Sequence, residues 1–362
     1  MMEEVKLMKG NEAFAESVIL SGCDGYFGYP ITPQSEVMEY LMKEDPEVKR
    51  TGMVVLQAES EVSAINMVYG GAGCGKRVMT SSSSPGISLK QEGLSYIAGA
   101  ELPCLILNVA RGGPGLGTIQ PSQADYFQSV KGGGHGDYRM IVLAPASVQE
   151  MADFVPMGFD LAFKYRIATL ILTDGVIGQM MEKVVLPQAR PRWTEEEIIK
   201  NTPWATTGKT ANRERNIITS LDLDAAKQEQ HNYKLAAKYK QIEENEVRYE
   251  EIQCDDAEYI IVAYGSAARI CQKVVDLARE KGIKLGVLRP ITLFPFPKKA
   301  IRALAQRVKG MMSVEYSLGQ MVEDVQLAAG GALEVQFYGR VGGMIPTPEE
   351  VLEAVESKMV KL

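Results

Sequence analysis

Between residues 28 and 117 the chain carries four polar clusters whose residue types could do chemistry. The first is Gly28-Tyr29-Pro30-Ile31-Thr32-Pro33. Its prolines fix the backbone at their own positions and remove two N–H donors. The residue before a proline is biased to extended backbone, so Thr32 holds its hydroxyl at the mouth of a helix predicted from about Gln34. There it either meets an anionic ligand at the helix N-terminus or simply caps that helix, with Pro33 at the first helical position. The second cluster is Glu59-Ser60-Glu61, which follows the apolar run 53–57 and opens a helix. A carboxylate at the carboxyl end of a parallel strand lies where ligands bind, but negative charge in a first helical turn is also favoured by the helix dipole. The third is Thr80-Ser81-Ser82-Ser83-Ser84-Pro85-Gly86. Ser84 as cap with Pro85 as first helical residue accounts for part of it, yet four serines are more hydroxyls than one cap requires, so a ligand cradle stands beside that reading. The fourth is Arg111-Gly112-Gly113-Pro114-Gly115-Leu116-Gly117, where glycines let the backbone approach a ligand and an arginine can grip a carboxylate with two N–H groups, or else a flexible loop carries a solvated arginine. Gly265-Ser266-Ala267-Ala268 resembles a phosphate turn but lacks a full glycine fingerprint.

The elements that must hold these clusters are legible in the hydrophobic pattern. Apolar runs at 53–57, 77–82, 102–109, 138–145 and 168–173 read as buried strands, and the segments 11–22, 60–73 and 147–165 carry helix-period apolar positions. Such alternation implies βαβ units and a parallel sheet covered on both faces. Residues 1–186 form this first α/β domain. Residues 187–255 read as a proline-punctuated excursion followed by one long charged helix, expected to be a solvated connector with ion pairs four residues apart. Alternation resumes over 256–362 as a second α/β domain.

Composition narrows the function. With 39 Lys and Arg against 46 Asp and Glu, the net charge is −7, which argues against a nucleic-acid binder. No run approaches the roughly 18 apolar residues of a membrane span, and the first ten residues are too charged for a secretory signal. Five scattered cysteines fit a reducing cytoplasm and do not supply the close-spaced thiolates of an iron–sulfur site. With two histidines a His-rich zinc site is nearly excluded, so no metal is expected on this chain.

Taken together, Tyr29-Pro30-Ile31-Thr32-Pro33, Glu59-Ser60-Glu61, Ser81 to Gly86, and Arg111-Gly112-Gly113-Pro114-Gly115 followed by Gln123-Ala124-Asp125 resemble the alpha chain of the 2-oxoacid:ferredoxin oxidoreductases. The C-terminal part resembles the transketolase C-terminal domain that accompanies it. The resemblance implies a pyrimidine-type thiamine-diphosphate domain and a reaction in which a 2-oxo acid is decarboxylated to an acyl-CoA while ferredoxin is reduced. It implies that Glu61 is the carboxyl group facing the cofactor's aminopyrimidine, that Ser83, Ser84, Pro85 and Gly86 line the cofactor, and that Arg111 and Thr32 hold the substrate carboxylate. It also implies partners: a beta subunit whose GDG motif binds the diphosphate and Mg2+, a gamma subunit, a ferredoxin-like subunit with 4Fe-4S clusters, and ferredoxin itself. No GDG occurs here, so this chain alone is expected to be catalytically incomplete.

One departure bears on the substrate. Many relatives that act on 2-oxoglutarate look polar just after the Arg-Gly-Gly-Pro, with a Ser-Thr pair; this chain has Gly115-Leu116 there, and by the same resemblance its loop up to Gln123 is one residue shorter. Leu116 favours an apolar substrate tail over a second carboxylate, because an unpaired buried charge is expensive. The expected substrate is therefore branched and aliphatic, such as 2-oxoisovalerate. The competing readings are a 2-oxoglutarate enzyme of the same family, a non-redox protein of the transketolase or 2-oxoacid dehydrogenase beta type, and a non-catalytic scaffold.

Overall fold

The computed structural model describes residues 5–44, 51–209, 211 and 213–360, so the first four residues of the charged N-terminal segment lie outside it. The larger sheet has seven strands. Their order is Thr292–Phe294 (β12), Ile141–Leu143 (β6), Ala168–Asp174 (β7), Cys104–Ala110 (β5), Val78–Ser82 (β4), Gly25–Gly28 (β2) and Val54–Gln57 (β3). Every pairing is parallel except β12 against β6. All seven residues of β5 and all seven of β7 are buried, as expected of central strands in a parallel sheet covered on both faces. Around the sheet, Gly10–Leu20 (α1) packs on Val148–Tyr165 (α6), and Glu61–Gly73 (α3) on Ser84–Gly99 (α4).

The second sheet has five strands: Val335–Gly339 (β14), Gly310–Glu315 (β13), Tyr259–Val262 (β10), Leu285–Pro290 (β11) and Tyr249–Ile252 (β9). Only β9 is antiparallel to its neighbour. Gly265–Glu280 (α10) and Pro348–Val355 (α13) pack together beside it. The two sheets are not independent. Strand β12 leaves the second segment to extend the first sheet, β9 enters the second sheet from the connector, and one apolar core runs through both.

The long charged helix, Ala225–Asn245 (α9), differs from the solvated connector expected of it. Leu235 and Ile242 are buried, and His231 Nε2 lies 2.8 Å from Gly99 O. Lys234 and Lys238 both engage Glu101 at the end of α4. Burial alone would raise the Glu101 carboxyl, but the two lysines outweigh it and hold it down at about 2. The charges of α9 thus pair across elements, not along the helix, and two buried apolar residues in 21 are too sparse a stripe to announce a docked face.

Where the sheets meet, Asp174 ends β7 with 2% of its surface exposed. One oxygen accepts from Val176 N at 2.8 Å and the other from Ser266 Oγ in the first turn of α10. Burial pushes its pKa up to about 6 despite these bonds. A folded-state value above the unfolded one means the carboxyl's stabilising contribution is complete below about pH 3.8 and is lost as pH rises through 6. Asp174→Asn, which keeps the shape without the charge, is expected to gain on the parent by up to about 3 kcal/mol between pH 4 and pH 7. Chemical denaturation of both proteins at the two pH values reads this directly, and a constant difference would show that Asp174 does not titrate in that window.

Candidate active site

The carboxyl ends of β2, β3, β4 and β5 open onto one region, and the four clusters follow them. Beyond β3, Ser60 is the cap of α3, accepting from Ser63 N at 3.2 Å. The two flanking glutamates then part company. Glu59 is exposed and accepts from Ser63 Oγ at 3.0 Å, whereas Glu61 is 6% exposed in the first turn of α3. Glu61 lies against Gly86 on α4: a Cβ at Gly86 would stand 2.9 Å from Glu61 Oε1 and 2.1 Å from Ser82 Oγ. A glycine there avoids both contacts, the closer one with the Ser82 hydroxyl and the second with the Glu61 carboxyl.

Between β4 and α4 the cap is Ser83, one residue earlier than the sequence suggests, and Pro85 occupies the second helical position. Ser83 makes no side-chain capping bond. Instead Thr80, Ser82 and Ser83 present buried hydroxyls without hydrogen-bond partners. Ser84 does the fastening. Its Oγ donates to Asp125 Oδ2 at 2.7 Å and accepts from Arg111 N at 2.9 Å, while its N–H donates to Asn108 Oδ1 at 3.2 Å. Asn108 Nδ2 donates to the same Asp125 oxygen at 2.8 Å. Burial raises the Asp125 carboxyl, and these two side-chain bonds oppose the rise.

Thr32 is exposed and does not cap the helix that follows it: Gln34 precedes Ser35–Lys43 (α2). Gln34 instead turns inward, with Oε1 accepting from Ser81 Oγ at 2.5 Å and Nε2 donating to Tyr29 O at 3.1 Å. Arg111, 8% exposed at the end of β5, donates through Nη1 to Thr32 O at 3.0 Å and through Nη2 to Leu116 O at 3.1 Å. Its Nε is buried without a partner. The guanidinium is thus not a solvated loop charge; it holds the proline loop and the glycine loop together. Leu116 itself is 81% exposed and lines a cleft of about 940 Å3 with Ser84, Pro85, Arg111, Tyr316 and Leu318.

Residues 16–251 match the family model described as pyruvate flavodoxin/ferredoxin oxidoreductase, thiamine-diphosphate binding, and residues 257–351 match pyruvate:ferredoxin oxidoreductase core domain II. The chain belongs to this 2-oxoacid:ferredoxin oxidoreductase family. It is 51% identical over 355 residues to the ketoisovalerate oxidoreductase subunit VorB of Methanothermobacter thermautotrophicus, covering 97% of each chain. Identity is 35% over 380 residues to the 2-oxoglutarate synthase subunit KorA of the same organism, covering 98% of this chain and 99% of the relative. Among solved structures it is similar to a 2-oxoglutarate:ferredoxin oxidoreductase from Magnetococcus marinus with 2-oxoglutarate, coenzyme A and succinyl-CoA bound. That similarity has a TM-score of 0.84 at 26% identity, and covers 98% of this chain and 65% of that one. A split-gene transketolase shares the fold at a TM-score of 0.60 and 12% identity, with 98% of each chain covered.

As a family member, the chain brings together Glu61, Ser83, Ser84, Pro85, Gly86, Arg111 and Leu116 on adjoining strand ends, with Thr32 joined through its carbonyl. Sequence reasoning missed Asn108 and Gln34, and quoted Asp125 without a role. Asn108 had one available signal, a lone amide in an otherwise apolar strand. Among the described residues no group of three or more His, Cys, Asp or Glu could hold a metal ion. Ser84→Ala would leave the half-buried Asp125 carboxyl and the buried Arg111 N–H each one bond short, so a loss of about 1–3 kcal/mol in stability is expected. Thermal and urea unfolding check this, and a change within 0.5 kcal/mol, roughly the level of an ordinary surface substitution, would refute the fastening role.

Proposed function

We propose that this chain is the pyrimidine-side subunit of an oxidoreductase that converts a branched-chain 2-oxo acid, such as 2-oxoisovalerate, with coenzyme A to an acyl-CoA and CO2, passing two electrons to ferredoxin. The observation that carries the reading is the buried Glu61 carboxyl seated over a glycine that leaves room for it. The residues fit thiamine diphosphate: a buried carboxyl faces a strand end whose hydroxyls lack partners. When bound, that cofactor supplies a carbanion that attacks a keto carbon and accepts the electrons of decarboxylation.

The protein groups around it have stated tasks. Glu61 holds a proton against a ring nitrogen of the aminopyrimidine, in a site dry enough for that shared proton to matter. Arg111 commits two of its five N–H donors to Thr32 O and Leu116 O, which leaves three, including the buried Nε, for a substrate carboxylate. Thr32, held to Arg111 through its carbonyl, would bring its hydroxyl as a further donor to that carboxylate. Holding the carboxylate fixes the keto carbon's orientation, a proximity contribution. Leu116, at the mouth of the cleft, supplies apolar surface to the substrate's tail.

A beta chain with the diphosphate and Mg2+ site, a gamma chain, and a 4Fe-4S chain that hands electrons to ferredoxin complete the reading. The 51%- and 50%-identical relatives named as ketoisovalerate oxidoreductase subunits support the substrate class. Among the described residues no helix is long and apolar enough to cross a membrane; we place the complex in the cytoplasm on the cysteine pattern.

The experiment is 2-oxo-acid-dependent reduction of a viologen dye by the complex co-expressed from neighbouring genes, with thiamine diphosphate, Mg2+ and coenzyme A. Glu61→Gln is expected to lower turnover by about 100-fold or more with assembly unchanged; retained turnover returns the chain to the scaffold reading. Separately, Leu116→Thr should lower the preference for 2-oxoisovalerate over 2-oxoglutarate by roughly threefold or more in kcat/KM. An unchanged ratio would remove Leu116 from the specificity argument.

A further inference from the structure

The loop that carries Thr32 is short of donors, since Pro30 and Pro33 have no N–H, and it is held through its carbonyls. Tyr29 O accepts from Gln34 Nε2 at 3.1 Å and Ile31 O from Gln34 N at 3.0 Å, both local bonds. Thr32 O accepts from Arg111 Nη1. Pro33 O, one residue on, is held by two side chains from other elements. Asn11 Nδ2, in the first turn of α1, donates to it at 2.8 Å, and Gln179 Nε2, at the end of Gly175–Gln179 (α7), donates at 3.3 Å. Each of these amides also donates to one oxygen of Glu36 in the first turn of α2, Asn11 at 3.1 Å and Gln179 at 2.7 Å. Lys9 Nζ, 3.9 Å from Glu36 Oε1, offsets that charge.

Asn11 is the buried member of this network. It is 0% exposed, and Gly178 on α7 leaves room for it, since a Cβ there would stand 2.8 Å from Asn11 Oδ1. That oxygen has no hydrogen-bond partner, whereas both N–H groups are committed, to Pro33 O and to Glu36. The donors are therefore what offsets the cost of burying the amide. Asn11, Gln179 and Glu36 all stand outside the lining of the cleft beside Arg111.

We propose that Asn11 is a positioning residue for the substrate carboxylate: by holding Pro33 O from α1, it keeps the Thr32 hydroxyl in place while the carboxylate draws on Arg111. The proposal rests on the functional reading above and concerns the carboxylate that every 2-oxo acid carries. The bond from Arg111 to Thr32 O is one that a bound carboxylate can disturb. The bonds to Pro33 O are not, because their donors are spent within the scaffold. Without Asn11, Arg111 still orients the acid, and what is lost is the second donor. Bound substrate and transition state feel that loss alike, so it falls on KM.

The test is steady-state kinetics of the assembled, cofactor-loaded complex on 2-oxoisovalerate and on 2-oxoglutarate. Asn11→Leu keeps the branched shape of the amide without its donors. KM should rise by about threefold to tenfold, by the same factor for both acids, with kcat per loaded site within about twofold of the parent. A lowered kcat at unchanged KM would make Asn11 a residue of the fold alone and overturn the proposal. A KM that moves for one acid and not the other overturns it as well, since the tail and not the carboxylate would then be affected. Where Asn11→Leu does not assemble, Gln179→Ala decides, because it removes the other donor to Pro33 O: a shared rise in KM supports the proposal and an unmoved KM overturns it. Glu61→Gln separates the two claims. Abolished turnover there, beside an unmoved KM in Asn11→Leu, removes the proposal and leaves the functional reading standing, whereas retained turnover in Glu61→Gln removes both.

Discussion

Ser84 Oγ ties together, at one atom, three stretches of chain that are distant in sequence. It donates to the carboxyl of Asp125, accepts the N–H of Arg111, and belongs to the first turn of α4, whose own N–H is held by Asn108. The end of β4, the end of β5 and the segment at 123–125 are thereby fixed relative to one another. Every candidate side chain is referred to that joint. Gly86 lies two residues on, Glu61 lies over Gly86, and Arg111 reaches from the joint to both loops. A hydrogen bond to a carboxylate is among the stronger kinds, and the buried Arg111 N–H would be costly to leave unmet, which suits the pair to a junction.

The joint continues into the second sheet through Gln123. Its backbone N–H donates to Tyr316 O at 2.9 Å, its Nε2 to Tyr264 O at 2.9 Å, and its Oε1 accepts Tyr316 N at 3.0 Å. Tyr264 Oη donates back to Gln123 O at 3.2 Å. One amide side chain thus satisfies backbone groups at the ends of β10 and β13, groups that would otherwise be buried and unpaired. The result is positional: Tyr316, Ser317 and Leu318 are held as the far wall of the cleft whose near wall carries Arg111 and Leu116. The second domain is part of the site's architecture, and strand β12, added to the first sheet, makes the attachment doubly strong.

What the sequence disclosed follows from which interactions are local. Strands β4, β5 and β7 and helices α3 and α6 bury continuous or periodic apolar residues, and those patterns are written in consecutive positions. Strand β2 escaped because Gly25-Tyr26-Phe27-Gly28 has two glycines in four residues and no alternation, and β12 because three residues carry no period at all. Glu61 and Arg111 were legible as types at strand ends, but a buried Glu61 beside an exposed Glu59 was not, since two residues of one turn differ only in what lies opposite. The burial of Lys90 was illegible for the same reason: on a helix of mixed residues, a lysine on the inner face looks like any surface lysine until the elements that cover it are in place.

Arg111 shows how a residue can be placed by the sequence and still be misjudged. At the end of β5 it reads as a free cation awaiting a carboxylate, but its two outer nitrogens are engaged by the carbonyls of Thr32 and Leu116. A ligand carboxylate that takes those donors competes with the loops for them, while one that takes the remaining donors, Nε among them, leaves the loops fastened. The two modes differ in what they cost. The first releases two carbonyls that must find other partners, and the second satisfies an N–H that is already buried and unpaired. The second is therefore the cheaper for a ligand that can reach a donor of the guanidinium without displacing the loops. The glycine loop then remains closed against Arg111, with Leu116 kept at the cleft by its own carbonyl bond. On the proposed reading, the arginine would then recognise the carboxylate common to all 2-oxo acids, and the loop it fastens would present the side chain that distinguishes their tails.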